Sequence, residues 1–313
     1  MSNWKVIITD GLNQKGKTIL SLDAEVIDCT GISAEELLDT VSDANALIVR
    51  GRTKVTAAVL EAAQNMKVVG RAGVGVDNID LAAAQSRGVT VINSPTATTI
   101  AVAEHTMALM LSSVRHIARA DASMKSGLWN KKLLAGTELN AKILGIIGMG
   151  HIGSGVAKRA AAFDATILGY DPFLDEAMIR QRGAQPAKLN DLLARCDLIS
   201  LHIPLTPETR GMINGQTIGL MKRGAYLICA ARGGVIDETA LLNALESGQI
   251  AGAALDVFST EPPGLTALVA LPNVAATPHI GAQTAEAQVR AAVDISEEIL
   301  AALKGETLRW KIV

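Results

Sequence analysis

Aromatic side chains make up only 3% of this 313-residue chain, so its 49% of hydrophobic residues must build the core mainly from Ala, Val, Leu and Ile. Such a composition suits Ala-rich helices laid on buried parallel strands. Cysteine is scarce as well. Cys29, Cys196 and Cys229 are odd in number, far apart and set among apolar neighbours, which reads as reduced, buried thiols of a cytoplasmic protein. No CxxC or HExxH spacing occurs, so no metal is expected. No apolar run reaches the roughly 18 residues of a membrane span. The N-terminal stretch Asn3–Asp10 is too short in apolar length for a signal peptide and reads as a first strand. The formal charge of −2 is scattered without a basic block, which excludes the footprint of a nucleic-acid or membrane-surface binder.

What the chain does have is glycine at telling positions. The apolar run from Lys142 to Ile147 breaks at Gly148-Met-Gly150-His-Ile-Gly153, and Ala157, Ala160 and Ala161 follow at helical spacing. This is strand, tight turn, helix. Gly148 permits the turn, Gly150 lets the backbone approach a pyrophosphate and Gly153 lets helix pack on strand. The N-terminus of the helix then offers N–H groups and partial positive charge to the phosphates. Thr166–Tyr170 reads as the next strand, and Asp171 follows it, 18 residues beyond Gly153, where a carboxylate meets the ribose hydroxyls of a dinucleotide. An acid there repels a 2′-phosphate, which favours NAD over NADP. A glycine hexapeptide alone is compatible with an ordinary turn; strand, helix and acid together specify the site.

The length suggests two domains. In the first part, strands are expected at Lys5–Thr9, Glu25–Asp28, Ala46–Val49, Lys67–Gly70 and Thr90–Asn93, with helices near Ala34–Thr40, Ala57–Gln64 and Leu81–Ser86. Beyond the glycine loop, strands at Asp197–Leu201, Gly224–Cys229, Gly252–Asp256 and Val274–Ala276 alternate with helices near Leu189–Ala194, Gly215–Met221 and Asp237–Glu246. Alternation of this kind predicts parallel sheets with helices on both faces. A long helix from Ile100 carries Ile100, Met107, Leu111, Val114 and Ala118 as one stripe, while Glu104 and His105 are expected to cap or to bond within the core. A final helix near Ala285–Leu303 presents Ile295, Ile299 and Leu303 and is expected to return to the first domain. The fold class is therefore α/β: two Rossmann-like/flavodoxin-like doubly wound parallel-sheet domains, expected to be separated by a cleft that closes by a hinge. Residues 1–95 with 285–313 form the expected substrate-binding domain, and residues 96–284 the NAD-binding domain.

Gly70-Arg71-Ala-Gly73-Val74-Gly75 is a second glycine loop after a strand, but it lacks the helix-packing glycine and the distant acid. It reads as an anion-binding loop whose N–H groups, with Arg71, hold a substrate carboxylate; a simple turn is the alternative. Arg50-Gly51-Arg52 ends another strand and offers cations, unless it is only a solvated face. Ser126–Lys132 leaves the helical period and reads as a loop, its Trp129 and two lysines suggesting a contact surface. Three polar residues stand near strand ends of the second domain, where ligands bind in open α/β sheets: Arg232 in Ala-Ala-Arg-Gly-Gly-Val-Ile-Asp, Glu261 in Asp-Val-Phe-Ser-Thr-Glu-Pro-Pro, and His279 in Thr-Pro-His-Ile-Gly.

With these stretches the chain resembles the D-isomer-specific 2-hydroxyacid dehydrogenase family over essentially its whole length, and within it the branch acting on 3-phosphoglycerate. The resemblance implies an NAD-dependent oxidoreductase of CH–OH groups, with Arg232, Glu261 and His279 as the catalytic set. His279 would be the general acid for keto-acid reduction and the base for the reverse. Glu261 would orient its ring. Arg232 would fork onto the substrate carboxylate. By the same resemblance, cofactor contacts are expected from Val74, Gly148, Gly150, His151, Ile152 and Gly153, from Asp171 and Pro172, and from His202, Ile203 and Pro204. Further contacts are expected from Ala230, Ala231, Arg232, Asp256, His279, Gly281 and Ala282. Substrate contacts are expected from Arg50, Gly51, Arg71, Gly73, Val74, Arg232 and His279, with Lys132, or Lys131, reaching over from the partner of a homodimer built on the 98–125 helix region. His116 is assigned nothing.

Two departures bear on these expectations. Val74 stands where phosphoglycerate relatives often have Thr. The chain stops at Val313, so the regulatory C-terminal domains of longer relatives, and feedback by serine, are expected to be absent. Formate-acting relatives carry Gln at the place of Glu261, which favours a 2-hydroxy acid here. The excess of cations, Arg50, Arg52, Arg71 and the lysine pair, favours a second anionic group on the substrate and a place in serine biosynthesis. Hydroxypyruvate, glyoxylate or a sulfonated analogue are the neighbouring alternatives. A dinucleotide-sensing corepressor-like binder is a different class of function on the same fold, and it predicts slow turnover with NADH-dependent partner binding.

Overall fold

The computed structural model describes residues 4–313; Asn3, where the N-terminal apolar stretch begins, lies outside them. The chain divides into two compact units, Met1–Thr98 with Ala282–Val313, and Thr99–Gly281. The smaller unit runs β1 (Trp4–Ile8), α1 (Gln14–Leu20), β2 (Ala24–Asp28), α2 (Ala34–Thr40), β3 (Ala46–Val49), α3 (Ala57–Ala62), β4 (Val68–Arg71), α4 (Leu81–Ser86) and β5 (Thr90–Asn93). The larger begins with α5 (Thr99–Val114), α6 (Ile117–Lys125) and a 3-10 turn over Lys131–Leu133. It continues through β6 (Ile143–Ile147), α7 (His151–Ala161), β7 (Thr166–Tyr170), α8 (Glu176–Gln181), β8 (Gln185–Pro186), α9 (Leu189–Arg195) and β9 (Leu198–Leu201). It ends with α10 (Gly215–Leu220), β10 (Ala225–Cys229), α11 (Glu238–Glu246), β11 (Ile250–Leu255), α12 (Ala267–Ala270) and β12 (Val274–Ala276), after which α13 (Ala285–Lys304) belongs to the smaller unit.

Both sheets are parallel throughout. The smaller has five strands in the order β2-β1-β3-β4-β5, the flavodoxin-like arrangement. The larger has seven, β12-β11-β10-β9-β6-β7-β8, so its order reverses at β6, the switch point at which doubly wound sheets bind ligands. Strands such as Ala46–Val49 and Leu198–Leu201 are buried at every position, because helices cover both faces. In the larger unit, α5 and α7 bring Met107, Met110, Val156 and Ala160 to one face, and α9 and α11 bring Leu192, Leu193 and Leu241 to the other.

The final helix shows why a chain would return to its first unit. Ile295, Ile299 and Leu303 are 0%, 0% and 6% exposed and join the cluster of Val6, Ile8, Ile48 and Val68. Each such side chain contributes about 1.5–3 kcal/mol on burial. Gly70 makes room for them, since a Cβ there would lie 2.9 Å from Ile295 Cγ1.

The structure departs from expectation in physically readable ways. Helix α1 escapes the sequence pattern because Gly16 interrupts it; that glycine is needed for close helix packing, as a Cβ would stand 2.7 Å from the Ala292 carbonyl of α13. The short α8, α12 and the two-residue β8 are likewise additions to the expected elements, while α6 is the far part of the expected 98–125 helix region. The long helix beginning near Ile100 ends at Val114, where Thr137 N–H takes the Val114 carbonyl and His116 turns left-handed at φ 55. Ala118 therefore lies on another helix, and Ile100 is half exposed, so the expected five-residue stripe holds only through Met107, Leu111 and Val114. Cys196 and Cys229 are buried, Cys29 only in part, and all three are free thiols. Among the described residues no helix is long and apolar enough to cross a membrane, and no group of three His, Cys, Asp or Glu is placed to hold a metal.

Candidate active site

The glycine loop between β6 and α7 has a reason at each glycine. Gly148 sits at φ 92, and a Cβ there would lie 2.4 Å from the His202 carbonyl. A Cβ on Gly153 would lie 2.0 Å from the Gly148 carbonyl, so this position keeps helix and turn in contact. At Gly150 nothing stands within 4 Å of such an atom. Gly150 is also the N-cap of α7 and supplies no side chain to cap it, so this end of the helix is an open, N–H-bearing surface. Asp171, directly after β7, is tied to the loop: its Oδ2 accepts from Met149 N–H and its Oδ1 from Phe173 N–H, both at 3.0 Å. Open space, an uncapped helix N-terminus and a fixed carboxylate fit a dinucleotide's pyrophosphate and ribose. Arg182, which the sequence does not single out, braces the same turn through the Met149 carbonyl.

His202 plays a different part from a charged contact. Its Nε2 is 2.9 Å from Ser200 Oγ, and burial pushes the imidazole down to about 4, so the ring is neutral near pH 7. Its backbone, through the carbonyl beside Gly148, helps wall the loop. His151 is the exposed first residue of α7. His116 Nε2 bonds the Ala135 carbonyl.

Within the same unit, the segments after β10, β11 and β12 carry the three polar residues. Glu261 Oε1 accepts from Phe258 N–H at 3.0 Å, which leaves Oε2 to meet His279 Nδ1 at 2.8 Å. An ionised carboxylate only accepts, so Nδ1 carries a hydrogen and Nε2 is the nitrogen that exchanges a proton. Both side chains remain partly open to solvent, at 49% for His279 and 37% for Glu261. Arg232 lies in the turn after β10, its Nη1 donating to the Ala231 carbonyl at 2.7 Å. Gly233, absent from the sequence reading, fixes that turn: a Cβ would fall 1.8 Å from the Phe258 carbonyl. The Cys229 thiol beneath is raised to about 11 by burial, so it is no nucleophile. Asp256 is buried, and its oxygens accept from Thr277 Oγ1, Ile280 N–H and Gly281 N–H.

The remaining candidates belong to the smaller unit. Arg71 crosses the loop at Gly73, where a Cβ would lie 1.6 Å from its Nη1. Asn93 Nδ2 donates to the Val74 carbonyl and holds the loop down. The expected cradle of N–H groups is reduced, because Ala72 N–H bonds the Val49 carbonyl and Gly73 N–H the Arg71 carbonyl. Arg52 is also corrected. Its guanidinium is engaged by Asp10 Oδ1 and by the Ile32 and Thr9 carbonyls, so it is a brace and not one of the available cations. Arg50, by contrast, sends Nη2 to Gln283 at 3.5 Å while its backbone is pinned by Asp10 and Asn78. Ala282 falls just past the end of the larger unit.

Asp10 has no mark in its local sequence, and sequence reasoning passes over it. It accepts from Arg50, Arg52 and Thr53 N–H groups and so shapes the whole Arg50–Thr53 turn. Burial pushes its carboxyl up, but the Thr53 hydroxyl, the Thr53 and Arg50 N–H groups and the Arg52 guanidinium outweigh this and hold it below the ordinary 3.8. A group lowered on folding adds stability that is present above its unfolded value and lost as pH falls through the folded one. Asp10→Asn is therefore expected to flatten the fall of the urea midpoint below pH 3.8, and a slope equal to that of the parent protein would remove Asp10 from this account.

Residues 107–281 match the family model described as D-isomer specific 2-hydroxyacid dehydrogenase, NAD binding domain. The chain belongs to that family, and the matched residues lie within the unit Thr99–Gly281. It is 48% identical over 303 residues to D-3-phosphoglycerate dehydrogenase of Methanocaldococcus jannaschii, a match covering 96% of this chain and 58% of that protein. The enzyme of the same name from Bacillus subtilis is 46% identical, with 96% and 57% covered. The chain thus spans little more than half the length of the curated relatives it matches. Among solved structures, a protein from Thermus thermophilus superposes with a TM-score of 0.89 at 36% identity, covering 99% of this chain and 100% of that one. A glyoxylate reductase from Paecilomyes thermophila gives 0.91 at 29% identity, with 100% and 99% covered.

Proposed function

We propose that the chain is an NAD-dependent D-2-hydroxyacid dehydrogenase that oxidises 3-phosphoglycerate to 3-phosphohydroxypyruvate. The observation that carries this reading is the 2.8 Å bond between His279 Nδ1 and Glu261 Oε2, beyond the strand ends of a domain with an open dinucleotide loop. Bound at Gly148–Gly153 and Asp171, the nicotinamide cofactor would supply or accept the hydride. His279 Nε2 takes the proton of the hydroxyl in oxidation and returns it in reduction. Glu261 holds the hydrogen on Nδ1 throughout, which leaves Nε2 to take and return the proton. Arg232 is assigned the substrate carboxylate.

The names of the relatives at 46–48% identity favour the phosphorylated substrate, while the likeness to a glyoxylate reductase supports hydroxypyruvate or glyoxylate as the second choice. A panel of keto acids with NADH, and of 3-phosphoglycerate with NAD, is expected to single out the phosphohydroxypyruvate couple. Preference for glyoxylate would move the assignment within the family, and no turnover on any member would leave the binding-protein reading.

We further propose a cytoplasmic homodimer through the α5–α6 region. Ile117, Met124, Leu128, Trp129 and Leu133 are all more than half exposed there, more apolar surface than single scattered residues account for. Ile117→Glu with Met124→Glu is expected to yield a monomer by analytical ultracentrifugation; an unchanged sedimentation coefficient would point to another surface.

A further inference from the structure

The backbone at His279 is unusual, and what holds it there reaches back to a helix far earlier in the chain. His279 has φ 53, the left-handed region. That conformation brings the Cβ of an L-residue too close to the following carbonyl oxygen, so it persists only where its surroundings over-determine it. Here they do. His279 N–H donates to the Asp256 carbonyl at 2.8 Å, Ile280 N–H to Asp256 Oδ1 at 2.9 Å and Gly281 N–H to Asp256 Oδ2 at 2.8 Å. One residue therefore receives three consecutive amides of the turn.

Asp256 is anchored in its turn. Its side chain is 1% exposed, and Thr277 Oγ1 donates to Oδ1 at 2.6 Å. His105, in the middle of α5, places Nε2 3.1 Å from Thr277 Oγ1 and 3.3 Å from Asp256 Oδ1. The Thr277 proton is already committed to Asp256, so its oxygen accepts from His105, and Nε2 carries a hydrogen shared between the two oxygens. Burial pushes the Asp256 carboxyl up, but the bonds from His105, Thr277 and the two amides more than offset this and keep it ionised.

We propose that His105 is a positioning residue for His279: through Thr277 and Asp256 it holds the left-handed turn that aims the His279 ring at Glu261. The proposal rests on His279 being the general acid–base. An imidazole suits the task because its Nε2–H reaches both oxygens as a rigid donor. A leucine of similar bulk would leave Asp256 Oδ1 short of a bond and free the turn to relax toward ordinary backbone angles.

The test uses the whole chain with His105→Leu and His105→Gln, each also placed in a His279→Ala background. His105→Leu is expected to lower kcat by about 10- to 100-fold, the cost of a slightly misplaced catalytic group, with the KM for NADH unchanged. Amide exchange at Ile280 and Gly281 should quicken. His105→Gln, whose amide nitrogen reaches the place of Nε2, should recover most of the rate. In the His279→Ala background His105→Leu should have no further effect, because the group through which it acts is gone. An equal loss in both backgrounds, or an unchanged kcat with unchanged exchange, would overturn the proposal. If His105→Leu does not fold, Thr277→Val removes the middle link at nearly constant shape and is read by the same criteria. A parent protein that turns over no hydroxy or keto acid would sink the functional reading instead, while an active parent with indifferent variants would sink only the role of His105.

Discussion

His279→Ala is expected to cut the rate of keto-acid reduction by on the order of 10²–10⁴ while leaving NADH affinity intact. The loss amounts to about 3–5 kcal/mol of transition-state stabilisation. It follows from the proposed division of labour within the larger unit, in which the glycine loop and Asp171 are offered to the cofactor, and the imidazole beyond β12 to the proton. His279 Nδ1 is committed to Glu261 at 2.8 Å, so only Nε2 can serve the substrate oxygen. Glu261→Gln should fall between the parent and His279→Ala, because an amide oxygen can still accept from Nδ1 but brings no negative charge to face the ring. Steady-state kinetics beside NADH fluorescence titration would decide it. A His279→Ala protein as fast as the parent would end the assignment.

The second large effect concerns the glycine loop, where two neighbouring glycines should fail in different ways. A side chain at 153 has no room, since its first carbon would meet the Gly148 carbonyl at 2.0 Å. Overpacking of this kind costs about 1–3 kcal/mol, so Gly153→Val is expected to lower the melting temperature by roughly 3–10 °C. NADH affinity should weaken about tenfold or more as the loop shifts, roughly 1.4 kcal/mol being a factor of ten. Gly150→Val adds its side chain where nothing stands within 4 Å. It should therefore keep the parent's melting temperature and still lose NADH binding, because the new atoms occupy the approach to the helix N-terminus. Calorimetry and NADH titration on the pair separate packing from binding. Equal behaviour of the two variants would contradict the loop geometry.

The elements readable in advance are those whose cause lies within a few residues. The runs Ala46–Val49 and Thr90–Asn93 and the helices Ala34–Thr40 and Leu81–Ser86 appear at the residues their patterns indicate, because apolar periodicity and caps such as Ser33 and Asp80 act over one or two turns. Boundaries move by a residue or two elsewhere. Strand β11 begins at Ile250, ahead of the expected Gly252, since its start is set by pairing with β10 and not by its own composition. Short helices without an apolar stripe are invisible for the complementary reason: α8 buries only Ile179.

For the site, the spacing Gly148-x-Gly150-x-x-Gly153 with Asp171 is sufficient to mark the dinucleotide loop, because turn, phosphate approach and helix packing are all local demands on the backbone. Arg232, Glu261 and His279 are marked by position after strands and by resemblance to a family, and their mutual geometry is not legible. The pairing of Glu261 with His279 comes from that resemblance alone, and nothing in the chain says that Arg52 is engaged by Asp10, or that His105 meets Thr277, 172 positions further on. Such meetings depend on the order of strands in the sheet, which sets residues side by side without leaving any periodic trace along the chain. Composition and local pattern thus established the α/β class, the parallel alternation and the nucleotide loop. Folding in three dimensions settled which carboxylate serves which cation or ring, because burial and hydrogen-bond partners are properties of neighbours in space.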